Sequence, residues 1–163
     1  MRLVPVLCVL VSLASMPVPL GARQDHHGGS DQRGAMVMGF DQARTTHHFL
    51  LFEDGGAIDV GVKDSADTKN RDAIRAHLPH IGTLFGEGNF DAPMLVHDSK
   101  NVPGTKLMTE RKRLIRYQYV ETTNGGRVNI VTSDADALAA VHAFLKFQIA
   151  DHKTGDPTIV RTR

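Results

Sequence analysis

Cysteine is almost missing from this chain. It has one, Cys8, among 163 residues, with no tryptophan and only two tyrosines. One thiol cannot build a disulfide framework or a thiolate metal site. Charge of one sign is also lacking, with 19 basic against 18 acidic side chains. That balance offers no electrostatic footprint for nucleic acid or for an anionic membrane surface. No apolar run reaches the roughly 20 residues needed to span a bilayer. The nucleophile elbow Gly-x-Ser-x-Gly, the zinc-protease His-Glu-x-x-His, the phosphate-binding Gly-x-x-x-x-Gly-Lys-Ser/Thr loop and the haem-attachment Cys-x-x-Cys-His are all absent. Gly86-Glu87-Gly88 is too short a pattern for a phosphate loop.

The start of the chain carries an address. Arg2 precedes the largely apolar stretch Leu3 to Ala14, then Pro17 and Pro19 break it and Gly21-Ala22 offer small residues. This is the order of a secretory signal peptide over residues 1–22. Cys8 does not follow the small residue of a lipoprotein signal. Cleavage therefore predicts a secreted or periplasmic, cysteine-free product with no integral membrane anchor. It also removes Arg2, leaving eighteen basic side chains against eighteen acidic. Residues 23–35 are polar and glycine-rich and read as a flexible leader. Residues 36–157 read as one domain, and 158–163 as a tail.

Within that domain, Thr46 to Glu53 and Ala57 to Lys63 read as strands, with Asp54-Gly55-Gly56 between them as a hairpin signal. A turn on Asp54-Gly55 pairs Leu51 with Ile58, Phe49 with Val60 and His47 with Val62, which places His47, Phe49 and Leu51 on the core face. Thr68 to Phe85 carries Ile74, Leu78, Ile81 and Phe85 at helical spacing, and Pro79 predicts a bend or a second start. Met94-Leu95-Val96 suggests a short strand, and Thr105 to Arg111 a short helix. The order then recurs: a strand from Leu114 to Thr122, Asn124-Gly125-Gly126, a strand from Arg127 to Thr132, and a helix capped by Ser133 or Asp134 and running to about His152. A two-residue turn at Asn124-Gly125 would set Val128 against Glu121, so a longer loop is expected. The predicted class is α+β: an antiparallel sheet of two β-hairpins with helices packed on one face. A ββα duplication would account for the order, and so would coincidence.

Histidine is the one excess, with nine. Imidazole ligates zinc, copper or haem iron, and a metal-ion site needs three or four ligands that converge. His47 is predicted inward on the first strand. His77 and His80 sit i, i+3 on the first helix, and His142 lies beside the apolar stripe of the last. These four are the candidate metal ligands. Met36, Met38, Met94 and Met108 could add sulfur for copper. His26-His27 fall in the leader. Because the first helix is expected to cover the first hairpin, His47 is expected to meet His77 or His80.

Several segments resemble a group of small exported bacterial proteins. They are Met38-Gly39-Phe40-Asp41, Thr45-Thr46-His47-His48-Phe49, Asp54-Gly55-Gly56, Arg75-Ala76-His77-Leu78, Pro103-Gly104, Gly125-Gly126-Arg127-Val128 and Phe147-Gln148-Ile149-Ala150-Asp151-His152. Members of that group often carry the name aspartate carbamoyltransferase. The Ser-Thr-Arg-Thr loop and His-Pro-x-Gln segment that bind carbamoyl phosphate in true transcarbamoylases are absent here. The resemblance thus implies export and an unassigned activity. Three functions stay open: an envelope binding or accessory domain that holds a metal, a haem or a small ligand through histidines; a small-molecule enzyme with His47, His48 or His77 as acid–base groups; and a structural or interaction domain in which the rings only pack.

Overall fold

The computed structural model describes residues 38–163. The segments read as a signal peptide and a leader, with Cys8, His26, His27 and Met36, lie outside the described residues. After a short 3-10 turn at Gln42–Arg44 the elements run β1 (Thr45–Phe52), β2 (Gly55–Val62), α1 (Thr68–Gly86), α2 (Asp91–Val96), α3 (Thr105–Glu110), β3 (Ile115–Thr122), β4 (Gly125–Thr132) and α4 (Ala135–His152). The four strands form one antiparallel sheet in the order β1-β2-β4-β3. The fold is α+β, as the patterning predicts. None of the described helices is long and apolar enough to cross a membrane.

The two hairpins share one register. Thr45 pairs with Val62 and Phe52 with Gly55; seventy positions later Ile115 pairs with Thr132 and Thr122 with Gly125. The central strands meet symmetrically about Ile58↔Val128, so Asp59 faces Arg127 and Val60 faces Gly126. The repeated order in the sequence is thus a repeated geometry.

Both turns fall earlier than expected. The first is Glu53-Asp54, so Leu51 pairs with Gly56 rather than Ile58, Phe49 with Ile58, and His47 with Val60. The second is the two-residue Thr123-Asn124, in place of a longer loop. The glycines sit inside the strands because the neighbouring strand comes too close for a side chain. A Cβ at Gly55 would stand 2.1 Å from the Ile130 carbonyl oxygen, and one at Gly125 2.2 Å from that of Val60. In the first hairpin the register shifts by two residues, and side chains alternate with period two, so the predicted core face survives it.

Asp67 caps α1 through its side chain, and Asp134 caps α4 likewise. The first helix continues through Pro79, with Thr83 Oγ1 donating to the Pro79 carbonyl. The Met94-Leu95-Val96 run is helical, not a strand: α2 buries Pro93 and Val96, and i, i+3 neighbours share a face only on a helix.

Each long helix crosses to the other hairpin. Since β2 and β3 are separated by β4, the chain leaving β2 passes over β4 to reach β3, and α1 lies mainly on β3 and β4. Arg75 anchors it there by donating to the Thr122 and Gly125 carbonyls. By the same geometry α4 lies mainly on β1 and β2. The first hairpin is therefore covered by the last helix, contrary to expectation. The core is one cluster from Phe40 to Ile149, with Ile74, Met108, Val128, Ile130, Val141 and Leu145 fully enclosed.

The segment read as a tail is part of the fold. Arg161 bridges in parallel to Phe52, and the Arg163 guanidinium lies 4.5 Å from the Phe52 ring centroid while bonding Asp54 and Asn129. It covers the β1 edge that would otherwise expose unpaired backbone.

The glycine clearances make a paired prediction. Gly125→Ala should lose about 2 kcal/mol or more in urea unfolding, because a backbone oxygen cannot step aside. Gly82→Ala, with only the Val128 Cγ1 at an ordinary 3.8 Å, should gain about 0.5–1 kcal/mol from helix propensity. Equal effects at the two sites would contradict the strand placement.

Candidate functional site

Beneath the helices the core does not close. A cavity of about 80 Å³ lies where α1, α2 and α4 meet over the first hairpin. The sheet contributes His47, Phe49, Ile58 and Val60 to its walls, α1 gives His77, Leu78, Ile81 and Phe85, and α2 gives Ala92, Pro93, Val96 and His97. Phe144, Gln148 and His152 come from α4, and Met38 and Phe40 complete the lining. Apart from one amide, the polar groups on this wall are imidazoles.

His47 sits between two rings. Phe40 stacks on it with centroids 5.9 Å apart, and His152 with centroids 5.7 Å apart and planes 12° from parallel. Its Nε2 is buried with no hydrogen-bond partner. Burial, then the proximity of His152, His48 and His77, push its pKa from 6.5 down to about 3. The ring is neutral wherever the protein is folded at moderate pH. His77 reaches the same cavity and meets Phe40 edge-on at 5.8 Å. Burial, and then His80, lower its pKa to about 4.

The other two candidate ligands point elsewhere. His80 is exposed. His142 donates from Nε2 to the Phe52 and Gly55 carbonyls, each at 2.9 Å, and so fastens α4 to the first turn. Of the sulfurs, Met38 lines the cavity and Met108 is enclosed in the core. Among the described residues, no group of three or more His, Cys, Asp or Glu side chains converges as a metal ion requires.

Two further histidines take their place. His97, whose side chain is 2% exposed, holds Asp151 Oδ2 at 2.5 Å through Nδ1 and Gln148 Oε1 at 2.8 Å through Nε2. With both nitrogens engaged, it ties α2 to α4. His152 stacks on His47 and packs edge-on to His97 at 5.0 Å. Both were traceable in the sequence. His152 continues the stripe of Leu145 and Ile149 by one more turn, and a helical reading of Asp91–Val96 puts His97 on the side of Pro93. The carboxylate partner of His97, Asp151, is 54 positions away.

Next to the cavity, on the β1 side, is a polar groove of about 250 Å³. There His48 Nδ1 meets Asp156 Oδ1 at 2.9 Å, while Asp156 Oδ2 accepts from the Phe49 N–H and the Thr154 hydroxyl. Burial alone would raise the Asp156 pKa; those bonds outweigh it and leave it lowered.

Comparison of the chain with protein-family models, curated proteins and solved structures finds no match.

The neutral imidazoles make stability pH-dependent. Unfolded, His47 and His77 take up a proton near pH 6.5; folded, they resist until about pH 3 and pH 4. Stability is therefore complete above about pH 6.5 and declines as the pH falls through the interval below it. His47→Phe keeps the stacking and removes the orphaned nitrogen. It should match or exceed the parent at pH 7, by about 1–2 kcal/mol, and lose about 2 kcal/mol less between pH 7 and pH 5 in urea titrations. Equal acid sensitivity in parent and variant would refute the assignment.

Proposed function

We propose that this chain is an exported binding domain whose ligand is a small, largely apolar molecule with one hydrogen-bonding group, seated in the cavity and held by His47. The observation that carries this reading is the His47 Nε2, buried on the wall of an apolar cavity without a partner. An unsatisfied buried polar atom costs about 1–3 kcal/mol, and a phenylalanine would pack the same space without that cost. A ligand group that bonds Nε2 removes the penalty, and the cavity holds the rest of the molecule out of water. Export rests on the signal-peptide pattern of residues 1–22.

This reading replaces a metal-ion or haem site. The four candidate histidines are divided between the cavity, the solvent and a hairpin turn, and a cavity of about 80 Å³ has no room for a porphyrin. The second reading is a small-molecule enzyme, and one observation favours it: His48 is oriented by Asp156 through Nδ1, the arrangement that readies the opposite nitrogen as a general base.

Phenol is a suitable probe of the cavity. Added to the isotope-labelled domain, it should shift the NMR signals of His47, Phe49 and Val96. Ala92→Leu, which fills the cavity from α2, should abolish those shifts, and His47→Phe should weaken binding about tenfold, the loss of one hydrogen bond. Shifts scattered over the surface, or binding indifferent to Ala92→Leu, would overturn the proposal.

A further inference from the structure

The cavity and the polar groove share a wall. His47 and His152 line both, and their stacked rings stand between an apolar space on one side and a polar one on the other. The groove is completed by Gln42, Thr45, Thr46, His48, Lys63 and Thr154. Its chemistry differs from the cavity's in one decisive respect, which is fixed charge.

Lys63 is the groove's only fixed charge. Its ammonium donates to the Ala43 carbonyl at 2.7 Å and makes no ion pair with any described residue. Asp156 is taken up by His48, Thr154 and the Phe49 N–H, and Asp67 by Arg44 and Asn70. An ammonium whose positive charge is not neutralised, beside the His48 imidazole, favours an anion. The hydroxyl protons of Thr45, Thr46 and Thr154 are donated to the Asp41 and Gly61 carbonyls and to Asp156, so the Lys63 ammonium is the donor that would hold a carboxylate head.

We infer that the two spaces form one site for an amphipathic carboxylic acid, its apolar or aromatic body in the cavity and its carboxylate in the groove at Lys63, with the His47–His152 pair at the junction. This rests on the cavity reading above and adds the ligand's class to it. A ligand spanning the junction passes beside the His47 Nε2, which accounts for a polar atom left unpartnered at that place. The exposed side of the site is on the β1 edge, which the segment from Thr154 to Arg161 covers only beyond His48.

Three probes with one body and different heads test this: 3-phenylpropionate, 3-phenylpropanol and 3-phenylpropylamine. Affinities are measured by calorimetry and the seat of binding by NMR, on the whole mature domain. The acid should bind at least tenfold more tightly than the alcohol, and the amine more weakly than both. Lys63→Met should erase the acid's advantage and leave the alcohol's affinity within twofold. Raising the salt concentration should weaken the acid alone. If acid and alcohol bind equally, or if Lys63→Met leaves the acid unaffected while the cavity signals still shift, the groove has no part and the inference fails, although the cavity reading stands. If none of the three probes shifts His47, Phe49 or Val96, both fail.

Discussion

The pairing of β2 with β4 governs everything above it. Gly55 and Gly125 allow the two hairpins to approach until a Cβ at either would strike the other hairpin's backbone, and the central strands then align symmetrically about Ile58 and Val128. With the hairpins joined at their second strands, the chain from β2 to β3 must pass over β4, and each helix lands on the opposite hairpin. That exchange brings His152 from the end of α4 against His47 on β1. It also leaves α1, α2 and α4 meeting over the first hairpin, where the cavity remains. The site follows from strand order more than from any local motif.

The repeat in the sheet is not repeated in the site. The positions equivalent to His47 and Phe49 in the second hairpin are Tyr117 and Tyr119, given the common register. Both hydroxyls are buried without a partner, and burial raises both pKa values; Glu121 adds to the effect at Tyr119 and Arg75 opposes it. Tyr117 packs edge-on against Phe85, so aromatic surface occupies the region that the first hairpin leaves open. One hairpin has been filled with phenol rings and the other kept hollow beside an imidazole.

Period and punctuation made much of the fold legible. Alternation over Thr46 to Glu53 placed His47, Phe49 and Leu51 on the covered face, and the stripe from Ile74 to Phe85 located α1 within a residue of its end. The failures have physical causes. Adjacent glycines signal turns in general, but here they serve close strand contact, which shifted the first register by two and replaced the longer loop expected in the second hairpin with a two-residue turn. A three-residue apolar run cannot distinguish strand from helix, which hid α2 and with it His97. No local pattern states which helix covers which hairpin, since that depends on strand order. His47 and His77 were therefore found from the sequence and line one cavity, while His152, whose ring stacks on His47, was missed. The carboxylate and amide that immobilise His97 lie on α4 and become its neighbours only once α2 is in place.

A buried imidazole kept neutral and unpartnered is the central claim, and its nitrogens can be observed directly. Long-range nitrogen–proton NMR correlation on the ¹⁵N-labelled domain distinguishes the two neutral tautomers from the imidazolium for each histidine. The account predicts that His47 shows a single neutral form from pH 7 down to pH 5 and that its Nε2 signal moves when the cavity is occupied. Titration of His47 with a midpoint near 6.5, the value of a free side chain, would place it in water and contradict the account.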